Sequence, residues 1–338
     1  MRNYFAIIIG AGPGGLACAT ILAQAGHEVL VLEKNSQIGP KVCGGGITWS
    51  GLTRRVPESL VEKAFNAQQV HTRFQSTTVH AARPMVSTVN RQKLGQWMNR
   101  QATAAGAFVK KGALVRKITD QYVATDNEQF GYRYLIGCDG STSLVRKYLR
   151  LPVERLGFGI HYQVPGDFDE MEWHLNPGLY HNGYAWIFPH CGSASIGVYG
   201  STRTVKPKKM LENLKTWALT RGISLHGLTP RAGLINFDYR GWRFGNKFLV
   251  GDAAGLASGL TGEGMYPAIV SGETVARTII DPQYRPTDLN RLLHKKHQHG
   301  RILALAGRNG FFCTTVMEML VLALRSGLVG FNKLEMAD

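Results

Sequence analysis

The chain has 338 residues, 44% of them hydrophobic and 18% charged, which is enough for one large domain or two interleaved ones and excludes disordered and fibrous architectures. Its 40 glycines, about 12% of the residues against a usual ~7%, call for many positions of close backbone approach or positive φ. Lysine and arginine outnumber aspartate and glutamate by 39 to 23, a formal +16 that favours anionic partners: nucleic acid, acidic lipid, a phosphorylated substrate or an acidic electron carrier.

In chain order, residues 4–9 predict a buried parallel strand, followed at once by Gly10-Ala11-Gly12-Pro13-Gly14-Gly15 and an Ala/Leu-rich helix that Gly26 ends. These glycines also interrupt the apolar run that a signal peptide needs. Residues 29–32 are a second strand, which delivers Glu33 eighteen residues after Gly15. Together they spell a dinucleotide-binding βαβ unit. Gly10 permits the tight turn, Gly12 lets backbone approach a pyrophosphate, Gly15 allows helix and strand to pack closely, and Glu33 can accept from ribose hydroxyls. Cys43 follows on a glycine-flanked loop, where it is either a reactive thiol or a small inert residue. Asn90 is a good N-cap for a helix opening at Arg91, itself either a solvated cation or a ligand.

Residues 112–118, 122–125 and 128–136 read as three strands of a meander, the last running into Cys138-Asp139-Gly140. Residues 248–255 repeat that design at Gly251-Asp252, with small residues predicting a helix from about Ala254. Between them, Tyr184, Trp186 and Phe188 alternate along a strand and share one face, which either lines a tunnel or packs a core. Residues 1–55, 85–150 and 240–285 form a nucleotide-binding domain. Residues 56–84 and 151–239 form an inserted antiparallel sheet domain, and 286–338 a helical C-terminal segment. In that segment, residues 294–299 carry three histidines and two lysines; the lysines would repel a cation, so this is a basic, solvated helix with no metal expected anywhere in the chain. The apolar stretch 311–324 is too short to span a membrane and contains Glu318. With flanking arginines it either packs on the domain or rests on an anionic membrane surface. Five widely spaced cysteines without a CxxC pair support neither disulfides nor zinc and suggest a reducing, cytoplasmic setting, with or without peripheral contact to the membrane.

The trio GAGPGG at 10–15, CDGSTSLVR at 138–146 and GDAAG at 251–255 resembles the FAD-binding fold of p-hydroxybenzoate hydroxylase and the geranylgeranyl reductases. LTGEGMYPA at 260–268, YAWIFP at 184–189 and KVCGGG at 41–46 resemble the geranylgeranyl reductases in particular. The glycine pair expected after YxWxFP is only partly matched by Gly197 and Gly200. The resemblance implies an α/β protein: a Rossmann-type FAD-binding domain, an interleaved antiparallel substrate sheet and a short helical C-terminus. It also implies a reductase that saturates carbon–carbon double bonds of a prenyl chain on a lipid, quinone, tetrapyrrole or diphosphate. Gly10, Gly12, Pro13, Gly14, Gly15, Glu33, Lys34, Cys43, Gly44, Arg91, Val115, Asp139, Gly140, Gly251, Asp252, Gly262, Gly264 and Met265 would then hold FAD, with Asp252 on the ribityl chain. Cys43, Tyr184, Trp186, Phe188 and Gly264 would face the reacting bond. No second dinucleotide unit is present, so electrons would come from NAD(P)H docking transiently or from an acidic carrier such as ferredoxin. Flavin monooxygenases and halogenases share the fold and are the alternative activity, a non-catalytic flavin- or lipid-binding protein the alternative class. The scattered basic residues match no nucleic-acid module.

Overall fold

The computed structural model describes residues 1–52 and 55–337. Its central sheet has the order Arg243–Phe244, Lys247–Leu249, Gln129–Gly137, Arg2–Ile9, Val29–Glu33, Phe108–Lys111. From Lys247–Leu249 to Phe108–Lys111 every neighbouring pair is parallel. Strands covered on both faces must be apolar at nearly every position, and Ile7, Ile8, Val31, Leu135 and Ile136 are all fully buried. Helices Pro13–Gln24, Arg91–Ala104 and Met265–Ile280 cover one face. The first and last touch through bare backbone: a Cβ on Gly272 would stand 2.1 Å from the Gly14 carbonyl oxygen. Parallel strands end together, so Gly10, Asp139 and Asp252 emerge at one carboxyl edge of the sheet, where such folds bind ligands.

The meander runs through Lys117–Ile118, Tyr122–Ala124 and Gln129–Gly137. Its first strand is shorter than expected because the backbone before it bonds to the end of the second parallel strand, Gly112 to the Asn35 carbonyl and Ala113 to the Glu33 carbonyl.

A seven-stranded sheet has the order Arg231–Asn236, Leu156–Pro165, Ser193–Ser201, Tyr184–His190, Glu172–His174, Ala67–His71, Ser76–His80. All its pairs are antiparallel except Glu172–His174 with Ala67–His71. The expectation that residues 56–84 all join this sheet differs at Val61–Phe65. That strand pairs instead with Val86–Val89, which also pairs with Gly46–Thr48. Val86–Val89, flanked on both edges, is buried at all four positions.

Helices Thr287–Ala306 and Gly310–Arg325 close the chain. The first is not the solvated element its charges suggest: His299 is buried against Ser258, and Lys296 reaches inward to the carbonyls of Phe237 and Ala257. The second lays Cys313, Met317, Val321 and Leu324 on the aromatic cluster that contains Trp186 and Phe188. Among the described residues no helix is long and apolar enough to cross a membrane.

Candidate functional site

A cavity of about 700 Å³ runs from the first glycine loop to helix Gly310–Arg325. At its start, strand Arg2–Ile9 ends and Gly10, at φ +102°, turns the chain so that its N–H donates to the Leu32 carbonyl at 2.8 Å. A Cβ at Gly10 would lie 2.4 Å from the Cys138 carbonyl oxygen, so only glycine fits. A Cβ at Gly12 would meet nothing closer than 3.9 Å, which leaves its face open to the cavity. Pro13 stands at the start of helix Pro13–Gln24, whose amino end, with Gly12 and Gly14, borders the cavity. Gly15 is set behind, packed on Gly10.

Glu33 ends the second strand. Its Oε2 accepts from the Ala11 N–H at 2.8 Å, which holds the glycine loop in place, and its Oε1 accepts from the backbone and side chain of Asn35. Lys34 and Val115 line the same end of the cavity.

Asn90 caps helix Arg91–Ala104, its Oδ1 accepting from the N–H groups of Gln92 and Lys93 at 3.0 and 3.1 Å. The cap places Arg91 against the cavity, where Nε and Nη1 are buried without a hydrogen-bond partner. Burial pulls this guanidinium below its ordinary pKa, and the neighbouring Asp252 carboxylate opposes the shift. Asp139 is complementary. Its Oδ2 accepts from Leu144 and Val145 N–H groups, its Oδ1 is buried without a partner, and burial raises its pKa. An unpaired buried donor set and an unpaired buried acceptor along one glycine-lined groove fit an anionic pyrophosphate carrying hydroxylated sugars.

The third turn comes from Gly251–Ala253, a single 3₁₀ turn. The helix predicted from Ala254 starts instead at Met265, because Gly255 and Gly262 take left-handed φ values of +76° and +69° and hold the intervening chain as a loop. Side chains pin that loop. Tyr199 donates to the Gly259 carbonyl at 2.8 Å, Tyr184 to that of Thr261, and Lys296 to that of Ala257 at 2.7 Å. Asp252 sits beneath it, accepting from Lys41 at 3.3 Å and Ser141 at 3.1 Å. Buried Arg146 ties the second and third turns together by donating to the carbonyls of Ala253 and Asp238. Gly262, Gly264 and Met265 line the cavity beside the amino end of helix Met265–Ile280.

Beyond this groove the wall becomes aromatic. Tyr184, Trp186 and Phe188 succeed one another with ring centroids 6.0 and 5.6 Å apart, and Trp173 stands 4.9 Å from both Tyr184 and Phe188. Their polar atoms are satisfied elsewhere: Trp186 Nε1 donates to Ser195 Oγ at 3.1 Å, and Trp173 Nε1 to Gln68 Oε1 at 2.7 Å. The faces left to the cavity are therefore apolar. Gly44 is pressed onto this wall, a Cβ there falling 3.1 Å from Phe188 and 3.2 Å from Trp186. Cys43, beside it, lines the cavity within electrostatic reach of both Arg91 and Tyr184. Burial lifts the Tyr184 hydroxyl well above its ordinary pKa and keeps it neutral.

Several contributors were not singled out from sequence. Trp173, Met317, Leu320, Leu324 and Phe331 complete the apolar end. Glu263 is a buried carboxyl in the wall, bonded to Thr48 Oγ1 at 3.3 Å and to the Met336 N–H at 2.9 Å, and pushed up to about 7 by burial. Only its place inside the glycine motif hinted at it. Among the described residues, His71, Glu172 and His174 are also close enough to hold a cation, but Glu172 is already bonded to His174 and to Arg221 at 2.8 Å.

The FAD binding domain family matches residues 4–165. An uncharacterized protein of Methanosarcina barkeri is 29% identical over 90% of this chain and 82% of its own length. A geranylgeranyl diphosphate reductase of Rhodobacter capsulatus is 27% identical over 81% and 74%. A geranylgeranyl bacteriochlorophyll reductase-like protein of Thermoplasma acidophilum superposes with a TM-score of 0.74 at 20% identity, covering 97% of each chain. The matched domain makes FAD the protein's cofactor.

Proposed function

We propose that the chain belongs to the geranylgeranyl reductase family of FAD-dependent oxidoreductases and that it saturates carbon–carbon double bonds of a prenyl chain, a reading supported by its likeness to named reductases of that kind. The observation that carries this reading is the continuity of one cavity: a groove suited to FAD opens directly into a pocket walled by Trp173, Tyr184, Trp186, Phe188, Leu324 and Phe331. A predominantly apolar, aromatic-walled end suits a hydrocarbon chain, whose recognition rests on shape and exclusion of water. Reduced FAD, when bound, supplies the hydride.

The protein's own residues do the rest. Gly10, Gly12, Gly14, Arg91 and Asp139 would hold the dinucleotide, and Asp252 would accept from its ribityl hydroxyls. Tyr184 and Tyr199, bonded to Thr261 and Gly259, fix the loop that lines the cavity between groove and pocket. Cys43, Gly44 and Gly264 line the cavity there and would border the approach of an alkene to bound flavin. Each reduced bond also takes up a proton. Glu263, part protonated near neutral pH, can hold one at its carboxyl within the cavity wall. The prenyl group arrives on a lipid, quinone, tetrapyrrole or diphosphate, and electrons come from NAD(P)H or an acidic carrier. The test is anaerobic incubation of dithionite-reduced protein with a panel of such substrates. Products heavier by a pair of hydrogens per bond support the reading. Unchanged prenyl chains on every carrier, or, in a parallel aerobic assay, NAD(P)H-dependent oxygen uptake coupled to a hydroxylated or halogenated product, overturns it.

A further inference from the structure

We propose that helix Gly310–Arg325 and the hairpin tip at Arg73-Phe74 form one docking face for an anionic lipid bilayer, and that the helix is at once the membrane contact and the inner wall of the substrate pocket. Its two sides differ in use but not in polarity. Met317, Leu320 and Leu324 line the cavity. On the opposite stripe, at spacings of four, four and three, stand Phe311, Thr315, Met319 and Leu322. Of these, Phe311 is 76% exposed, Met319 59% and Leu322 48%. An ordinary surface helix presents a polar outer face; this one presents hydrocarbon.

The hairpin joining strands Ala67–His71 and Ser76–His80 brings a further exposed ring, Phe74, to the same place. Thr72 Oγ1 donates to Glu318 Oε2 at 2.7 Å, and Gln75 Nε2 donates to both the backbone and the carboxylate of Glu318 at 2.8 Å. These bonds fix the tip beside Met319. They also turn the helix's one acidic residue into the hairpin, so no carboxylate of the helix is left to face an anionic surface. The rim is basic. Arg73 lies over the Phe74 ring at 5.2 Å, Arg308 over Phe312 at 5.7 Å, and exposed Arg325 ends the helix. Apolar side chains in the plane with arginines at the rim are the complement of an anionic headgroup layer over acyl chains. A helix of this length spans about 24 Å and would lie flat in that layer without crossing it.

Such placement has a consequence for the substrate. A prenyl chain held in the bilayer needs to pass only one helix thickness to reach the aromatic wall. This last step rests on the prenyl-chain reading of the cavity; the docking itself does not.

The experiment is co-sedimentation of the FAD-loaded protein with vesicles of phosphatidylcholine alone and of phosphatidylcholine with phosphatidylglycerol. The parent is expected to sediment with the anionic vesicles, and to be released by high salt. Met319→Glu with Leu322→Glu should lower partitioning by about a hundredfold, and Arg73→Gln with Arg325→Gln by about thirtyfold, roughly fivefold for each arginine. Both double variants should keep the parent's FAD content and melting temperature. An unchanged sedimenting fraction in both variants, equal binding to neutral vesicles, or a concentration-dependent dimer abolished by the same glutamates would overturn the proposal. None of these readouts involves turnover, so failure here and failure of the prenyl-reductase reading are separately visible.

Discussion

Arg91→Met is expected to act with opposite sign on the two forms of the protein. Without cofactor, Nε and Nη1 of Arg91 are buried and unpartnered, and an unsatisfied buried polar group costs about 1–3 kcal/mol. Methionine keeps much of the stem's packing and removes those donors. The deflavinated variant should therefore be more stable than the deflavinated parent by about 2 kcal/mol, a rise in melting temperature of roughly 3–4 °C for a chain of this size. With FAD the sign reverses. The variant loses the two charge-assisted bonds available to a pyrophosphate, about 1.5–3 kcal/mol each, so affinity should fall by about a hundred- to ten-thousandfold. Thermal melts of both apoproteins and calorimetric titration with FAD read the two effects. An apo variant less stable than the parent, with FAD affinity within threefold of it, would refute the argument and make Arg91 a purely structural residue.

Asp252→Ala removes the acceptor shared by Lys41 and Ser141 and should loosen FAD strongly, seen as loss of flavin on gel filtration; unchanged flavin content would rule out its ribityl role. Trp186→Ala opens the aromatic wall and should shift the range of chain lengths reduced, read by product analysis across geranyl, farnesyl and geranylgeranyl substrates. It costs about 3–5 kcal/mol of stability, so Trp186→Phe, with milder loss of volume, should shift the range in the same direction. Glu263 has a folded pKa of about 7, raised by burial above its ordinary value of 4.5. Its stabilising contribution is fully present below pH ~4.5 and is lost as pH rises through about 7, on the order of 3 kcal/mol in all. Glu263→Gln should flatten that part of the stability profile, and denaturant titrations at pH 5 and pH 8 that show the same parent-to-variant difference would contradict it.

The cofactor end was legible in the sequence because its constraints are local. A glycine at φ +102°, a strand of continuous apolar residues and an acid at the next strand's end each leave a mark within a few positions. The alternation that put Tyr184, Trp186 and Phe188 on one face is likewise local, and all three line the cavity. What was not legible depends on distant partners. Small residues after Asp252 look like the opening of a helix, yet Gly255 and Gly262 turn the chain into a loop held by Tyr184, Tyr199 and Lys296, residues up to 77 positions away. Lys296 and His299 read as surface charges until Ala257 and Ser258 are seen to receive them. Strand Val61–Phe65 joined the smaller sheet because Val86–Val89 needed a second neighbour. The apolar character of residues 311–324 was plain, but which face met the pocket was set by tertiary packing alone.

The measurement that bears most directly on the account is mass spectrometry of products formed when anaerobic, dithionite-reduced protein is given geranylgeranyl diphosphate and a geranylgeranylated lipid. The account predicts flavin reoxidation matched by products heavier by one pair of hydrogens for each double bond reduced, and loss of both in Asp252→Ala. A flavin that stays reduced beside unchanged prenyl chains on every carrier would contradict it.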